Sequence, residues 1–330
     1  MARHAWRACA VLAVARAELS TGCGVASTDW LEYVGMESLP LSLNGHNHIL
    51  TLPRNYDAST PVPLVLYLHG WGGDASEAEA FASEARTQGV ATAALEGGGP
   101  DGWKSWNAAG SSSSPGIRGA TCQIGSSDYC PAHYAETCEA CGDGCWWTTY
   151  EDSTQVLLNA LDAVKKMLCA DLGQVWVVGC SNGGMMVYEA LADARTAGVF
   201  AGGVSIVGAP HPGFLRMSSA PAHLLGIWGL DDAMIPYAAN TNRSGVAFAP
   251  DGDAGGWYYT AARNITQAWS AHHGGPLEPV PSDDGSGDVS CQTFVGASVE
   301  TVECVVPDGH VCGRADRFRV HSGTTDRLEQ

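Results

Sequence analysis

Short apolar runs alternate along the chain with segments in which apolar residues recur every three or four positions. The runs are rich in Val, Leu and Ile and are bounded by Gly or Pro, which is typical of strands buried on both faces of a parallel sheet. They cover residues 48–52, 63–68, 90–95, 175–178, 203–207, 223–227 and 299–306. The pattern therefore predicts a series of buried strands.

The segments between the strands have the periodicity of amphipathic helices. They cover residues 75–86, 152–169, 182–195 and 256–272. In the second of these, an apolar stripe runs from Leu157 to Leu168, and Thr148 with Glu151 forms a capping-box pattern before it. Because strands and helices alternate, we expect an α/β fold with a doubly wound, mostly parallel sheet.

Two regions depart from this alternation. Residues 108–147 are rich in Ser, Gly and Cys with little periodicity, and residues 274–288 form a loop rich in Pro, Gly and Asp. The chain has 330 residues, of which 45% are hydrophobic, so it can bury a substantial core. We expect residues 26–330 to form a single domain, with 108–147 as a Cys-rich insertion and 313–330 as a C-terminal tail.

The N-terminus has the features of a secretion signal. Arg3 and Arg7 precede an apolar run over residues 8–15, and small residues up to Ala17 follow. Residues 1–25 are therefore predicted to be a signal peptide and leader, and the protein is predicted to be secreted. Elsewhere no apolar run approaches the length that spans a bilayer, and we expect no lipid anchor.

Acidic residues outnumber basic residues. Asp plus Glu total 35 against 17 for Lys plus Arg, which gives a formal net charge of −18. Such a chain repels phosphate backbones and anionic lipid surfaces. We therefore expect a monomer that binds neither nucleic acid nor a membrane.

Twelve cysteines point to an oxidising compartment. Setting aside Cys180 and Cys9, which lies in the apolar run of the predicted signal, leaves ten cysteines, an even number that suits disulfides. The four cysteines between Cys130 and Cys145 also have a local spacing like that of zinc ligands, but they lack the usual second, distant pair. We favour disulfides and predict neither a metal site nor a cofactor.

The strand predicted at 175–178 runs into the sequence GCSNG, residues 179–183. This is the G-x-S-x-G pattern, in which glycines permit close backbone approach and a strained turn exposes the serine. The following helix would direct its N-terminus, which favours negative charge, towards the same place. A structural turn can also produce the pentapeptide, but the strand and helix around it favour Ser181 as a nucleophile. Cys180 is predicted to be a small buried hydrophobic residue rather than a reactive thiol.

A serine hydroxyl needs a histidine base and a carboxylate, which follow it in the order acid, then histidine, in this strand–turn–helix context. Asp231 and Asp232 follow the strand predicted at 223–227, and His310 follows the last predicted strand. Each aspartate can instead cap a turn, and a loop histidine can simply be solvated. The order favours a triad, but it does not select one aspartate.

The sequence HGWGG, residues 69–73, follows an early predicted strand. Its glycines allow a loop to approach a substrate carbonyl closely, so the backbone N–H groups of Trp71 and Asn182 are predicted to form an oxyanion hole. A plain turn is the alternative, although few turns need three glycines.

Five stretches together resemble secreted α/β-hydrolases of the feruloyl esterase and poly(3-hydroxybutyrate) depolymerase type. They are LVLYLHGWGG (64–73), SWNAAG (105–110), GCSNGGMM (179–186), GLDDAMIPY (229–237) and DGH (308–310). The likeness covers residues 47–312 and implies an α/β-hydrolase fold with Ser181 as nucleophile, Asp232 as acid and His310 as base. The I-P-Y triplet is what favours Asp232 over Asp231.

Two positions differ from the family pattern. Trp228 stands where the family has a histidine, and residues 311–313 replace its Trp-Pro-Gly, which leaves the substrate pocket less defined. Trp106 and Trp228 are the candidate substrate-binding residues, because an indole can stack on an aromatic acyl group or a sugar. Core packing is the alternative for these and for the other tryptophans within residues 103–147.

The resemblance implies a secreted serine carboxylic-ester hydrolase that forms an acyl-enzyme and acts on feruloyl or related esters of plant polysaccharide. A polyhydroxyalkanoate depolymerase and an acetyl xylan esterase are alternatives within the same class. A peptidase also stays open, because the same triad cleaves amides. The alternative from another class is a non-catalytic hydrolase-like protein that binds polysaccharide or protein through the Cys-rich insertion.

Overall fold

The computed structural model describes residues 18–25, 38–124, 145–251, 255–282, 289–296 and 298–312. Most of the predicted signal, the middle of the Cys-rich insertion and the predicted tail at 313–330 lie outside these residues. In the described part of the chain, no helix combines the length and apolar character needed to cross a membrane.

The described residues form thirteen strands. They are β1 (Ser38–Leu43), β2 (His46–Thr51), β3 (Val62–Leu68), β4 (Ala91–Leu95), β5 (Cys122–Ile124), β6 (Ala170–Cys180), β7 (Gly202–Ile206), β8 (His223–Gly229), β9 (Val246–Pro250), β10 (Gly255–Thr260), β11 (Val280–Pro281), β12 (Ser290–Phe294) and β13 (Thr301–Val306). Ten of them form one sheet in the order β1-β2-β4-β3-β6-β7-β8-β13-β12-β11. The six strands from β4 to β13 in that order are parallel, and both edges are antiparallel.

Helices cover both faces of this sheet. The described helices are α1 (Glu79–Thr87), α2 (Ser153–Met167), α3 (Asn182–Ala192) and α4 (Ala262–His272), and a short 3₁₀ helix, Ala75–Ala78, precedes α1. Side chains of β3 point alternately to the two faces, so Leu64 and Leu66 join one core with α2, α3 and α4, while Val65 and Tyr67 join the other with α1. The predicted doubly wound, mostly parallel sheet is confirmed, and its strand order is that of the α/β-hydrolase fold.

Two local predictions were wrong. The helix predicted at 256–272 begins only at Ala262, because the aromatic residues before it form β10, which pairs with β9 and β5. The capping box does not form at Thr148, whose hydroxyl instead lies 2.7 Å from that of Ser111. The N-cap of α2 is Asp152, whose carboxylate accepts a hydrogen bond from the backbone N–H of Gln155 at 3.1 Å.

A second sheet, of the three antiparallel strands β5-β10-β9, incorporates part of the Cys-rich insertion. Strand β5 lies inside the insertion and pairs with β10, and Cys122 at its start is bonded to Cys145. That bond removes Cys145 from the alternative set of zinc ligands. Cys130, Cys138 and Cys141 lie outside the described residues.

The eight described cysteines form four disulfides, as expected for an oxidising compartment. The bonds are Cys23–Cys169, Cys122–Cys145, Cys180–Cys312 and Cys291–Cys304. The first attaches residues 18–25 to the main body, and the Ser20 hydroxyl donates to the carbonyl of Leu168 at 2.6 Å in the same region. At least this part of the predicted leader therefore packs against the fold.

Candidate active site

The candidate residues all lie at the carboxyl edge of the parallel strands. Ser181 directly follows β6, Asp232 follows β8 and His310 follows β13. Residues 70–73, called the oxyanion loop below, follow β3. Because neighbouring parallel strands end at the same edge, residues that are far apart in sequence meet there.

Ser181, Asp232 and His310 form one chain of hydrogen bonds. His310 Nε2 lies 2.9 Å from Ser181 Oγ, and His310 Nδ1 lies 2.8 Å from Asp232 Oδ2. Since Asp232 is an acceptor when ionised, the imidazole carries its proton on Nδ1 and presents Nε2 as an acceptor to the serine hydroxyl. The three side chains are thus arranged as nucleophile, base and acid.

Ser181 occupies a strained turn between β6 and α3. Its φ of 53° and ψ of −117° are unusual for a residue with a side chain. A Cβ on Gly179 would lie 2.2 Å from the carbonyl oxygen of Gly183, and a Cβ on Gly183 would lie 2.2 Å from that of Leu68. Both glycines of the G-x-S-x-G pattern are therefore required by close backbone contacts, and the turn is a nucleophile elbow in its geometry.

Asp232 is buried and held from its other side. Its Oδ1 accepts hydrogen bonds from the backbone N–H groups of Met234 at 2.8 Å and Ile235 at 2.9 Å. These bonds leave Oδ2 directed at His310. Asp231 is exposed, so the arrangement that the residue order left open is formed by Asp232 alone.

The oxyanion loop lies against the elbow. A Cβ on Gly70 would be 3.6 Å from the Cβ of Ser181, which shows how closely the loop passes the nucleophile. In the described part of the chain, the backbone N–H groups of Trp71 and Asn182 donate to no acceptor. Asn182 is the first residue of α3, and the N–H groups of a helix's first turn have no partner within the helix. The Asn182 side chain instead binds both the N–H and the carbonyl of Trp106, at 2.7 and 3.0 Å.

His69 supports the oxyanion loop from within the core. Its Nδ1–H donates to the carbonyl of Gly70 at 2.6 Å, and its Nε2 accepts from the N–H of Gly97 at 2.9 Å. Burial lowers the pKa of His69 to about 4, so the ring is neutral, as both bonds require. On the outer side, the Gly72 N–H donates to the carbonyl of Lys104 at 2.8 Å.

The two tryptophans selected as candidate substrate-binding residues are part of the core. Trp106 is 0% exposed, and its indole N–H donates to the carbonyl of His69 at 2.9 Å. Trp228 is 1% exposed and its ring covers Gly226, where a Cβ would lie 1.8 Å from it. Neither can stack on a substrate from this position, so that expectation was wrong, and the Trp106 indole instead braces the loop that carries Trp71.

Two other tryptophans are exposed, and one of them, Trp71, belongs to the oxyanion loop. Trp71 is 40% and Trp103 is 38% exposed, and their rings meet edge to face with centroids 5.0 Å apart. The indole N–H of Trp71 donates to the carbonyl of Trp147 at 2.8 Å, which fixes the orientation of the pair. From the sequence, Trp103 is only one of several tryptophans within residues 103–147 that are candidates for binding a substrate. Spacing along the chain does not show which of these side chains is exposed.

Cys180 and Cys312 join the elbow to the loop that carries His310. Cys180 is buried, as predicted, but it is not a free hydrophobic residue, because its sulfur is bonded to Cys312. Sequence reasoning missed this pair because setting aside Cys180 together with Cys9 of the predicted signal still left an even number of cysteines. A signal was available: Cys180 precedes Ser181 and Cys312 lies two residues after His310, so a triad must bring the two cysteines together.

Among the described residues, one group of side chains has metal-ligand proximity, formed by Glu77, Cys180 and Cys312. Both sulfurs of this group are in a disulfide and offer no thiolate, which is the form of cysteine that binds metals. The group is therefore unsuited to hold a metal ion.

Comparisons with known proteins give likeness at the level of the fold. No protein-family model and no curated protein sequence matches the chain. An acetyl xylan esterase from Aspergillus awamori is 13% identical over 85% of this chain and 98% of its own, with a TM-score of 0.48. Native pOPH is 14% identical over 79% and 80%, with a TM-score of 0.39. Est1E from Butyrivibrio proteoclasticus is 13% identical over 61% and 81%, with a TM-score of 0.36. None of these values decides the reaction or substrate of this chain.

Proposed function

We propose that this protein is a secreted serine carboxylesterase with Ser181 as nucleophile, His310 as general base and Asp232 as the acid. The observation that carries the proposal is the continuous hydrogen-bond chain from Ser181 Oγ through the imidazole to the buried Asp232. A solvated loop histidine or a turn-capping aspartate does not require that alignment. The four disulfides support the proposal of secretion.

In the proposed reaction, His310 Nε2 removes the proton of Ser181 Oγ as the oxygen attacks the ester carbonyl. The negative charge that develops on the carbonyl oxygen is stabilised by the N–H groups of Trp71 and Asn182. The imidazolium then protonates the leaving alcohol, and a water molecule activated by the same ring releases the acid. Asp232 keeps the ring in the required tautomer and stabilises its charged form.

The substrate class we propose is a feruloyl or related ester of plant polysaccharide. The exposed Trp71–Trp103 pair supports it, because Trp71 follows Gly70, which passes close to Ser181, and an exposed indole can stack on a hydroxycinnamoyl ring or on the apolar face of a sugar. The net charge of −18 favours neutral polymers over acidic ones. Acetylated xylan and polyhydroxyalkanoates are the other esters to be compared.

The first test is the Ser181→Ala variant of the purified protein. We expect its hydrolysis of p-nitrophenyl acetate to fall by about 10³-fold or more, and its labelling by a fluorophosphonate probe to disappear, with an unchanged melting temperature. A wild-type protein that neither hydrolyses esters nor reacts with the probe would instead support the non-catalytic binding alternative. Comparing an ester with the matching peptide substrate separates the esterase from a peptidase.

The second test concerns the substrate class and uses Trp103→Ala. Stacking on one aromatic ring contributes about 1 kcal/mol, so we expect kcat/KM on methyl ferulate or feruloylated arabinoxylan to fall by about fivefold or more. Activity on p-nitrophenyl acetate, which has no sugar or acyl ring to stack there, should stay within about twofold. Leu277→Ala, which removes an exposed apolar side chain from another loop, is the control. Equal losses on both substrates would argue against the stacking role.

A further inference from the structure

Glu77 lies outside the triad, at the point where three parts of the candidate site meet. It belongs to the 3₁₀ helix Ala75–Ala78, which directly follows the oxyanion loop. One of its carboxylate oxygens and the sulfurs of Cys180 and Cys312 all lie within 4.8 Å of one another. Glu77 is therefore close to the oxyanion loop, the elbow and the His310 loop at once.

The carboxylate of Glu77 binds the first peptide of the oxyanion loop. Both of its oxygens accept from the backbone N–H of Gly70, at 3.1 and 3.0 Å, and Oε1 lies 3.5 Å from the hydroxyl of Tyr67. The Gly70 peptide plane is thus fixed by a side chain that takes no part in the triad.

Gly73 leaves the space that this carboxylate occupies. A Cβ at position 73 would lie 2.6 Å from Glu77 Oε2, closer than any real contact, so a side chain there would displace the carboxylate. A Cβ at Gly70 would lie 3.5 Å from the same oxygen and 3.6 Å from Ser181 Cβ. The Gly70 backbone therefore sits between Glu77 on one side and the nucleophile on the other.

The position of Glu77 is itself fixed by local structure. Asp74 caps the 3₁₀ helix, and its Oδ1 accepts from the backbone N–H of Ser76 at 2.8 Å. Because the helix begins immediately after the loop, Glu77 reaches back over only seven residues to Gly70. This short connection makes the loop and its brace one rigid unit.

We propose that Glu77 is a positioning residue that orients the oxyanion loop, so that the Trp71 N–H points at the oxyanion of the transition state. The inference rests on the proposed function, in which the Trp71 N–H is an oxyanion donor. Glu77 holds the peptide before Gly70, while the Gly70 carbonyl, which shares its peptide with the Trp71 N–H, accepts from His69 Nδ1–H and from the Gly73 N–H. With both peptides held, the direction of the Trp71 N–H is set. A donor displaced by about 1 Å can cost about 10²-fold in rate.

The acceptor oxygens of Glu77 rather than its negative charge carry this role. A negative charge near the reacting carbonyl opposes the charge that develops there, so the charge brings no benefit to the oxyanion. Glu77→Gln keeps a carbonyl oxygen that can accept from the Gly70 N–H and should hold the loop. Glu77→Ala removes the acceptor and should release it.

The test measures kcat and KM for p-nitrophenyl acetate with the wild type, Glu77→Gln, Glu77→Ala and Gly73→Ala. We expect kcat to fall by about 10- to 100-fold in Glu77→Ala and Gly73→Ala, with KM within about threefold, and to stay within about threefold of the wild type in Glu77→Gln. Affinity for a boronic acid, whose adduct with Ser181 is tetrahedral and anionic, should fall in parallel with kcat. Glu79→Ala, an exposed carboxylate two residues away, is the control.

The proposal is overturned if Glu77→Ala and Gly73→Ala keep wild-type kcat, or if Glu77→Gln is as impaired as Glu77→Ala. If Glu77→Ala does not fold, the other two variants still test the proposal. Gly73→Ala displaces the carboxylate and should lower kcat, whereas Glu77→Gln keeps an acceptor oxygen and should not. A wild type without esterase activity or phosphonate labelling would refute the proposed function instead, so the two failures are distinct.

Discussion

Asp231 and Asp232 are adjacent in the chain but have different surroundings in the fold. Asp231 is exposed, whereas Asp232 is buried and accepts three hydrogen bonds, two from backbone N–H groups and one from His310. A carboxylate held from one side by the backbone can orient an imidazole on its other side. The environment of each side chain, and not its type, separates the two.

This difference gives a matched pair of variants. In Asp232→Asn the side chain no longer favours the Nδ1–H tautomer of His310, so we expect kcat to fall by about 10³-fold or more with the fold intact. Asp231→Asn should stay within about twofold. Steady-state kinetics on p-nitrophenyl acetate, with melting temperatures as a check on folding, measures both. A larger loss in Asp231→Asn would reassign the acid.

Residue identity was sufficient to predict some site residues and insufficient for others. Ser181 and His310 could be chosen as candidates because a strained serine turn and a histidine after a terminal strand are features of local sequence, and the structure brings their side chains together. Which of Trp103 and Trp106 is exposed could not be predicted, because both lie near glycines in a stretch without helical or strand periodicity. Exposure depends on packing against distant residues such as His69, whose carbonyl accepts from the buried Trp106 indole.

At the scale of elements, two disulfides tie segments together in different places. Cys180–Cys312 links the elbow after β6 to the loop after β13, while Cys291–Cys304 links the neighbouring strands β12 and β13 away from the nucleophile. The first therefore spans the two segments that must present Ser181 and His310 to each other. The second reinforces pairing that backbone hydrogen bonds already provide.

We expect the double variants of these bonds to differ in their effect on kcat. Cys180→Ala with Cys312→Ala should lower kcat by about tenfold or more, because the His310 loop loses its covalent attachment to the elbow. Cys291→Ala with Cys304→Ala should lower the free energy of unfolding by about 2–4 kcal/mol, with little effect on kcat below the melting temperature. Kinetics and thermal melting of both variants test this, and equal effects on kcat would contradict it.

Elements with a strong local pattern were predicted well, and those that depend on pairing were not. The buried strands around β3, β6 and β8 form continuous apolar runs, and the stripe of α2 is evident in the sequence. The sequence pattern predicts a helix where β10 lies, because the aromatic residues of this strand also fit a helical period. It is a strand because β9 and β5 supply hydrogen-bond partners on both sides.

Three buried histidines make the stability of the whole molecule depend on pH. A ring nitrogen of each accepts a hydrogen bond: His48 from the N–H of Glu96, His69 from that of Gly97, and His211 from the indole of Trp147. Burial lowers the pKa of each to about 4. Protonation would remove these acceptors and place a charge in the core.

We expect the free energy of unfolding to fall as the pH is lowered from about 6.5 to about 4. In this window the unfolded chain, whose histidines have a pKa near 6.5, binds more protons than the folded chain, so acid favours unfolding. Above about 6.5 the contribution is complete. His46 opposes the trend, because its hydrogen bond to Glu151 raises its pKa and so stabilises the fold below about 6.5. The pKa values of His223 and His273 are also lowered by burial, so the opposing histidine is outnumbered.

Denaturant unfolding at several pH values measures this dependence. A His211→Gln variant should be less stable at pH 7.5, but its slope of stability against pH should be smaller by up to about 1.4 kcal/mol per pH unit between 6.5 and 4. Leu277→Ala, which removes an exposed side chain that carries no titratable group, is the control and should leave the slope unchanged. An unchanged slope in His211→Gln would show that its protonation does not differ between the folded and unfolded states.

The amino-acid sequence by itself determined the alternation of strands and helices, the strained serine turn and the order of the three candidate residues. These features follow from side-chain periodicity and local backbone preference, which act over a few neighbouring residues. The I-P-Y triplet of the family resemblance already favoured Asp232, and the structure places its carboxylate against His310. Only the tertiary structure decided that Cys180 bonds Cys312, that Glu77 holds Gly70 and that Trp103 rather than Trp106 is exposed. Each of these depends on segments brought together by the sheet, and distances across a sheet are set by strand order and packing rather than by separation along the chain.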